Sequence, residues 1–472
     1  MKKFIKKILT CFAILAFIAC ETIPSSGSSY MRKNAPTISE YTLDNGIKLI
    51  VKKQTTNRIR VLDVRYVGGN ALLPAGQDGI EYLTLSCMQR GSEKYSNDEI
   101  KDLLHKTSST MKYGAGLDMS WSYMATLDKY WDEMLDVFTD SLINPSFDEE
   151  QYNFARNEAE TAYLNSLTDQ YELMIDKLTS KSRAGHPYGK SARPTSDSLK
   201  NINLPDLKKW HAEKMTADRI FVVAVGNFNG KNLASQLNKT LGKLPKKDTK
   251  IPEIPPLNLQ TKLYKEEFKT ANGSAYVRGD YEIPGRTSPD FPKLLLAYSI
   301  LDELLFTIVR TDHGAAYSVW CGVHGFKQSY GSLVIYRTDV PSEAKLYFDE
   351  AIAVLASGKT VKLKDDGKPY RYAPIAETIE AYKAKYKNAF FAGQFSNAST
   401  AAQIAMSYYY KNSPIEYLRL IDEINAVTPE DVIEVVNKYL VNAKISWMVV
   451  SDSATLSKLK TANYERFTGT KR

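Results

Sequence analysis

The sequence predicts an α+β protein made of two homologous domains, and three observations carry that expectation. The first is an internal repeat. Leu204-Pro205-Asp206-Leu207 opens a helix, and twenty residues after Asp206 a strand from Ile220 ends at Gly226; Thr428-Pro429-Glu430-Asp431-Val432 opens another, and twenty residues after Asp431 a strand from Ile445 ends at Ser451. Asp206 and Asp431 stand 225 residues apart, a period that means duplicated domains and not a solenoid. The second is the mixture of segments that alternate apolar and polar residues with segments whose apolar residues recur at helical spacing. The third is size: 472 residues with 43% apolar content suffice for two cores.

The first residues stand outside that fold. Lys2, Lys3, Lys6 and Lys7 precede an apolar run from Ile8 to Ala19, too short to span a bilayer and shaped like a secretory signal. It ends Phe17-Ile18-Ala19-Cys20, similar to a bacterial lipobox in which Cys20 is acylated and becomes the mature N-terminus. A simple cleaved signal and an uncleaved anchor are the competing readings. Residues 1–19 are assigned to the signal, and 20–37 to the lipidated Cys20 and a Ser-rich flexible tether. The expected location is a bacterial membrane, on its periplasmic face or at the cell surface. Acyl chains contribute ~0.8 kcal/mol per buried methylene, so several on one cysteine hold a protein durably. Loss of the four lysines lowers the formal charge from +8 to +4, an excess too small to predict nucleic-acid or acidic-lipid binding. Cys87 and Cys321 are then the only thiols besides Cys20, too few for a disulfide framework, and read as small buried apolar residues.

The first domain is placed at 38–242. Asn45-Gly46 turns a hairpin between Tyr41-Thr42-Leu43 and the strand Ile47 to Val51. Val61 to Val67 alternates, with Leu62, Val64 and Tyr66 on one face, and Gly68-Gly69 closes it. Ser96-Asn97-Asp98-Glu99 is a capping box for a helix through Leu104, and Tyr113 to Leu127 reads as one alternating strand. Trp131, Met134, Leu135, Phe138 and Leu142 mark a helix that Asn144-Pro145 ends. A near-match to a phosphate loop at Gly185 to Ser191 fails, because it is one residue short and no strand leads into it.

The stretch from Gly79 to Ser92 carries the functional argument. Gly79, Leu83, Gly91 and Ser92 resemble the frame of the active-site helix of the pitrilysin/insulinase family of zinc metallopeptidases, Gly-x-Ala-His-Leu-x-Glu-His-Met-x-Phe-x-Gly-Thr. In that helix two His at i and i+4 hold zinc on one face and the Glu at i+3 is the general base. Here Tyr82, Leu85 and Ser86 occupy those places. Leu cannot take a proton, neutral Ser is a poor zinc ligand, and Glu81 and Cys87 lie off a shared face. The helix is therefore expected to bind no zinc. The family's third ligand is a Glu on the helix within Gln151 to Leu167; counting from Asn144-Pro145 places Ala162 nearest, with Glu158 and Glu160 within a turn. The register stays open, and a solvated helix face is the ordinary reading for either Glu. No spacing of His105, His186, His211, His313 and His324 on a common element fits a metal site.

Arg310-Thr311-Asp312-His313-Gly314-Ala315-Ala316-Tyr317-Ser318 matches the family's Arg-x-x-x-Gly-x-Ala-Tyr-Ser, after a helix read from Lys293 to Val309. An Arg and a Tyr so spaced are usually structural; the nine-residue fit in the correct half of the repeat is what raises them. The resemblance implies that Tyr317 polarises a scissile carbonyl and Arg310 helps to position it, stabilising charge that develops on that oxygen. It implies a clam of two α/β-sandwich domains, each an antiparallel sheet covered by helices; the Pro- and Lys-rich stretch between the repeated halves, with Pro245, Pro252, Pro255 and Pro256, reads as a linker at 243–260, and the second domain is placed at 261–472. It also implies that the segment from Tyr113 is an edge strand able to hold extended peptides by backbone pairing.

In the branch similar to mitochondrial processing peptidase, one chain of a pair brings the zinc box and the other the Arg/Tyr pair, and this chain resembles the second kind. The expectation is a lipid-anchored subunit that binds no cofactor itself, with zinc in a partner peptidase subunit, extended peptides as ligands, and no nucleic acid. A non-catalytic binding or structural lipoprotein, and a peptidase acting through another site, are the two alternatives.

Overall fold

A computed structural model describes residues 29–362 and 371–465; the signal segment, Cys20 and the lysine-rich loop before Tyr372 lie outside these. Six strands form the first sheet: β1 (Ile38–Thr42), β2 (Lys48–Lys53), β3 (Ile59–Val67), β4 (Thr110–Gly114), β5 (Met119–Leu127) and β6 (Ile220–Gly226). Five form the second: β7 (Lys262–Glu267), β8 (Ala275–Glu282), β9 (Ser318–His324) and β10 (Tyr330–Thr338), then, after the small hairpin of β11 (Lys359–Lys362) and β12 (Arg371–Pro374), β13 (Ile445–Ser451). The orders are β1-β2-β6-β3-β5-β4 and β7-β13-β8-β10-β9. Without β1 the two are the same topology. The parallel pairs β2·β6 and β7·β13 occupy equivalent places, and every other pair within the two sheets is antiparallel. The 225-residue offset holds for β6 and β13 and for the helices Leu204–Lys214 and Pro429–Tyr439, each opened by a capping box with Pro in its first turn.

Alternation along the strands fills both faces of each sheet. In the first, Leu49, Leu62, Val64, Tyr66, Met124 and Val222 pack under helices of the same half. The opposite face, with Ile50, Val61, Val223 and Val225, is covered by Ala401, Ile404 and Ala405 of the helix Asn397–Lys411, which belongs to the second half. The reverse also holds: Leu173, Met174 and Leu178 of the first half's helix Gln170–Ser182 cover Tyr276, Val334, Met448 and Val450. Each half thus lends the other one helix.

Polar contacts seal the exchange. Arg183, just past its helix, pairs with Asp280 of β8 at 2.5 Å, and Arg278 meets the other oxygen of that carboxylate at 2.7 Å. The buried Asp118, between β4 and β5, accepts hydrogen bonds from Tyr188 of its own half and from the second half's Tyr410 hydroxyl (2.6 Å) and Lys327 amide (2.9 Å).

Three expectations are corrected. Ser29–Asn34, read as part of the tether, is a helix whose Met31 is buried, because Met31 finds the apolar surface around Leu418. Within the stretch read as the linker, Ile254, Leu257 and Leu259 are buried beside Tyr188 and Tyr330. The segment from Tyr113 to Leu127 is two strands, broken at Gly114-Ala115-Gly116, with the edge strand being β4. The helix before the Arg/Tyr motif runs Phe291–Leu305 and passes into a π-helical segment, Phe306–Asp312.

Candidate functional site: a blocked zinc position and an exposed Arg/Tyr pair

The box helix is Ile80–Met88, and Gly79 starts it with φ 78. A Cβ there would lie 2.1 Å from the Pro194 nitrogen, so only glycine brings the helix this close to the chain beneath it. Glu81, Thr84, Leu85 and Met88 face the domain interior around a small cavity shared with Trp210 and Met215. Glu81 is buried and committed there, held by Arg219 at 2.7 Å and by the Ser120 hydroxyl at 2.7 Å. Cys87 is likewise buried, and burial pushes its thiol up to about 12; it stays a protonated core residue.

Tyr82 and Ser86 point the other way, toward the edge strand β4. The Tyr113 hydroxyl donates to Ser86 Oγ at 2.8 Å, and its ring meets Tyr82 edge-on at 5.3 Å. Burial raises the Tyr113 phenol to about 12, against the lowering effect of the Ser86 bond, so it remains a neutral donor. Arg90, one turn beyond Ser86, closes the place. Its Nε lies 3.4 Å from Ser86 Oγ, an Nη is bonded to Glu158, and its guanidinium covers the Phe154 ring at 4.8 Å. A fixed cation therefore stands where a dication would have to sit, and like charges at such range repel. Of the candidate third ligands, Glu158 faces the box helix but is taken by Arg90; Glu160 pairs instead with Arg156 on its own helix; Ala162 is exposed. Among the described residues no group of three or more His, Cys, Asp or Glu could hold a metal ion.

Arg310 and Tyr317 are brought together. The guanidinium lies between two rings, 4.2 Å from that of Tyr317 and 4.9 Å from that of Phe306, a cation–π arrangement. Tyr317 is 74% exposed and Phe306 45%, so the cluster serves no core. The π-helical turn that carries it closes with Ala315 N–H to Val309 O at 2.8 Å, and Gly314 takes a left-handed φ of 59; such turns are frequent at functional sites. Tyr317 leads directly into β9, the open edge of the second sheet and the topological equivalent of β4. Among the described residues, no hydrogen bond or ring contact joins this cluster to Tyr82 or Ser86 of the same chain.

Three participants escape the motif pattern: Arg90, Phe306 and Tyr113. The first two were within reach of helical spacing, Arg90 four residues after Ser86 and Phe306 four before Arg310.

The model of the family domain described as "Peptidase M16 inactive domain" matches residues 201–358. The uncharacterized zinc protease YmxG of Bacillus subtilis (strain 168) is 22% identical over 403 residues, covering 84% of this chain and 94% of that protein. The non-peptidase homolog YmxG of Helicobacter pylori is 22% identical over 347 residues, 70% of this chain and 79% of that one. A crystal structure described as a peptidase M16 inactive domain from Pseudomonas fluorescens has the same fold, with a TM-score of 0.76 at 18% identity over 88% of this chain and 98% of that one. These likenesses support a pitrilysin/insulinase-like member of the M16 peptidase family in which Tyr82, Leu85 and Ser86 stand in place of the zinc box.

Proposed function

We propose that this protein is the non-catalytic subunit of a two-chain M16 peptidase, lipid-anchored through Cys20, that binds extended peptides and lends Arg310 and Tyr317 to the zinc site of a partner subunit. The observation that carries the proposal is the contrast between its two half-sites. The zinc position is filled by Tyr82, Ser86, Tyr113 and Arg90, whereas the Arg310–Tyr317 pair is held in order, with Tyr317 exposed, and shows no hydrogen bond or ring contact to the chain's own box helix among the described residues. A pair that stabilised only its own domain would be expected to face inward.

The chemistry asked of the pair is modest. A phenol and a guanidinium aimed at a peptide carbonyl stabilise the negative charge that grows there as zinc-bound water attacks in the partner. The backbone edges of β4 and β9 supply binding that demands few particular side chains. Tyr317→Phe keeps the ring over Arg310 and removes only the hydroxyl. The partner-dependent peptidase rate is expected to fall about 10²-fold with peptide affinity and thermal stability unchanged; an unchanged rate would contradict the assigned role. The non-peptidase relative favours one second reading, a binding protein without catalytic partner, and that reading predicts the unchanged rate.

A further inference from the structure

We propose that the protein rests on its membrane through a built apolar face, formed by Ile59, Leu127, Phe391 and Phe395, whose occupant is the lipid bilayer surface. These residues are 43%, 36%, 36% and 85% exposed, and they form one patch. Ile59 and Leu127 are Cα partners at the ends of β3 and β5. Asn397, two residues after Phe395, donates to the Ile59 carbonyl at 2.7 Å and to Asn57 Oδ1 at 3.1 Å, which fixes Phe395 beside them. Phe391 stands one turn before Phe395 at the end of the helix Ile379–Gly393.

Two further observations select lipid as the occupant. The first is where the chain enters. Tyr30 meets the Phe391 ring edge-on at 5.0 Å, so the described chain begins at the rim of this patch. Nine positions separate Cys20 from Ser29, a reach of at most about 30 Å. An acylated Cys20 would hold this side of the molecule, and no distant one, against the bilayer. The second is the charge beside it: Arg58, next to Ile59, and Lys129, two residues after Leu127, are exposed, and Asp128 between them is already paired with Arg60 at 2.7 Å. Large side chains flanked by lysine and arginine suit the interface between acyl chains and anionic head groups. The small net charge of the whole chain conceals this local excess.

The orientation deepens the functional reading and rests on it only for the anchor at Cys20. The test uses the full chain, anchored in vesicles of phosphatidylethanolamine and phosphatidylglycerol, with a nitroxide label at Phe395→Cys and, as control, at the exposed Lys200→Cys. Power saturation compares contact with oxygen, which concentrates in lipid, and with a water-soluble nickel chelate. The oxygen-to-nickel ratio at position 395 is expected to exceed the control by about threefold or more. A ratio equal to the control, or a label shielded from both reagents as under a protein partner, would overturn the proposal. The mass of the N-terminal peptide reports acylation of Cys20 separately: an unmodified cysteine with a lipid-exposed position 395 would sink the anchor and leave this surface standing.

Discussion

Arg90 decides more about this protein than the residues that replaced the zinc ligands. Its guanidinium ties Ser86 to Glu158, so the box has lost its ligands, gained a cation and spent the nearest carboxylate together. Restoring the motif alone with Tyr82→His, Leu85→Glu and Ser86→His is expected to leave well under one zinc per chain by metal analysis. Adding Arg90→Ala should raise the content by removing the repulsion and freeing Glu158; stoichiometric zinc in the triple variant would refute this. A second consequence concerns His324, stacked on Tyr330 and bonded to Ser332 near Arg183 and Arg278. Burial first, then the arginines, lower its pKa from the ordinary 6.5 to about 4. The unfolded chain therefore binds a proton that the folded chain refuses between these values, and stability falls as pH drops from about 6.5 to 4, by as much as about 3 kcal/mol. His324→Gln should flatten that limb of a denaturant-midpoint profile against pH; a parallel limb would mean that another group carries it.

At the scale of elements, the two exchanged helices bind the halves together. Met174 and Leu178 are fully buried against a sheet from the other half of the chain. Leu178→Ala or Met174→Ala is expected to cost about 2–5 kcal/mol, read as a lower denaturant midpoint, and Ile404→Ala on the reciprocal helix should cost a similar amount. The elements themselves were legible: helices open at Ser96, Leu204 and Thr428 as their spacing predicts, and the 225-residue offset reappears as matched strands. The exchange was not legible, because an apolar helix face does not state whose sheet it covers. The break between β4 and β5 had a signal in Gly114 and Gly116 that the alternation around it masked. The π-helical turn had none, since Phe306 to Asp312 keeps ordinary helical composition. Of the site, the Arg310–Tyr317 pair and the emptied box were visible as residue types at fixed spacing, Arg90 was within helical reach of Ser86, and Tyr113 joins it by proximity that only the packed fold supplies.

For the whole molecule, the repeated fold presents two topologically equivalent edges, β4 beside a blocked zinc position and β9 beside an Arg/Tyr cluster whose tyrosine is exposed. A chain with one half-site closed and the other kept open is what a division of labour between two subunits requires. The proposed peptide binding relies on backbone edges, so loss of the box leaves it in place. The most direct measurement is affinity capture of the full protein from solubilised native membranes, with identification of what co-elutes and zinc counted per complex. The account predicts a stoichiometric second chain with an intact HxxEH box and about one zinc per pair. Recovery of this chain alone or self-associated, without zinc, would contradict it.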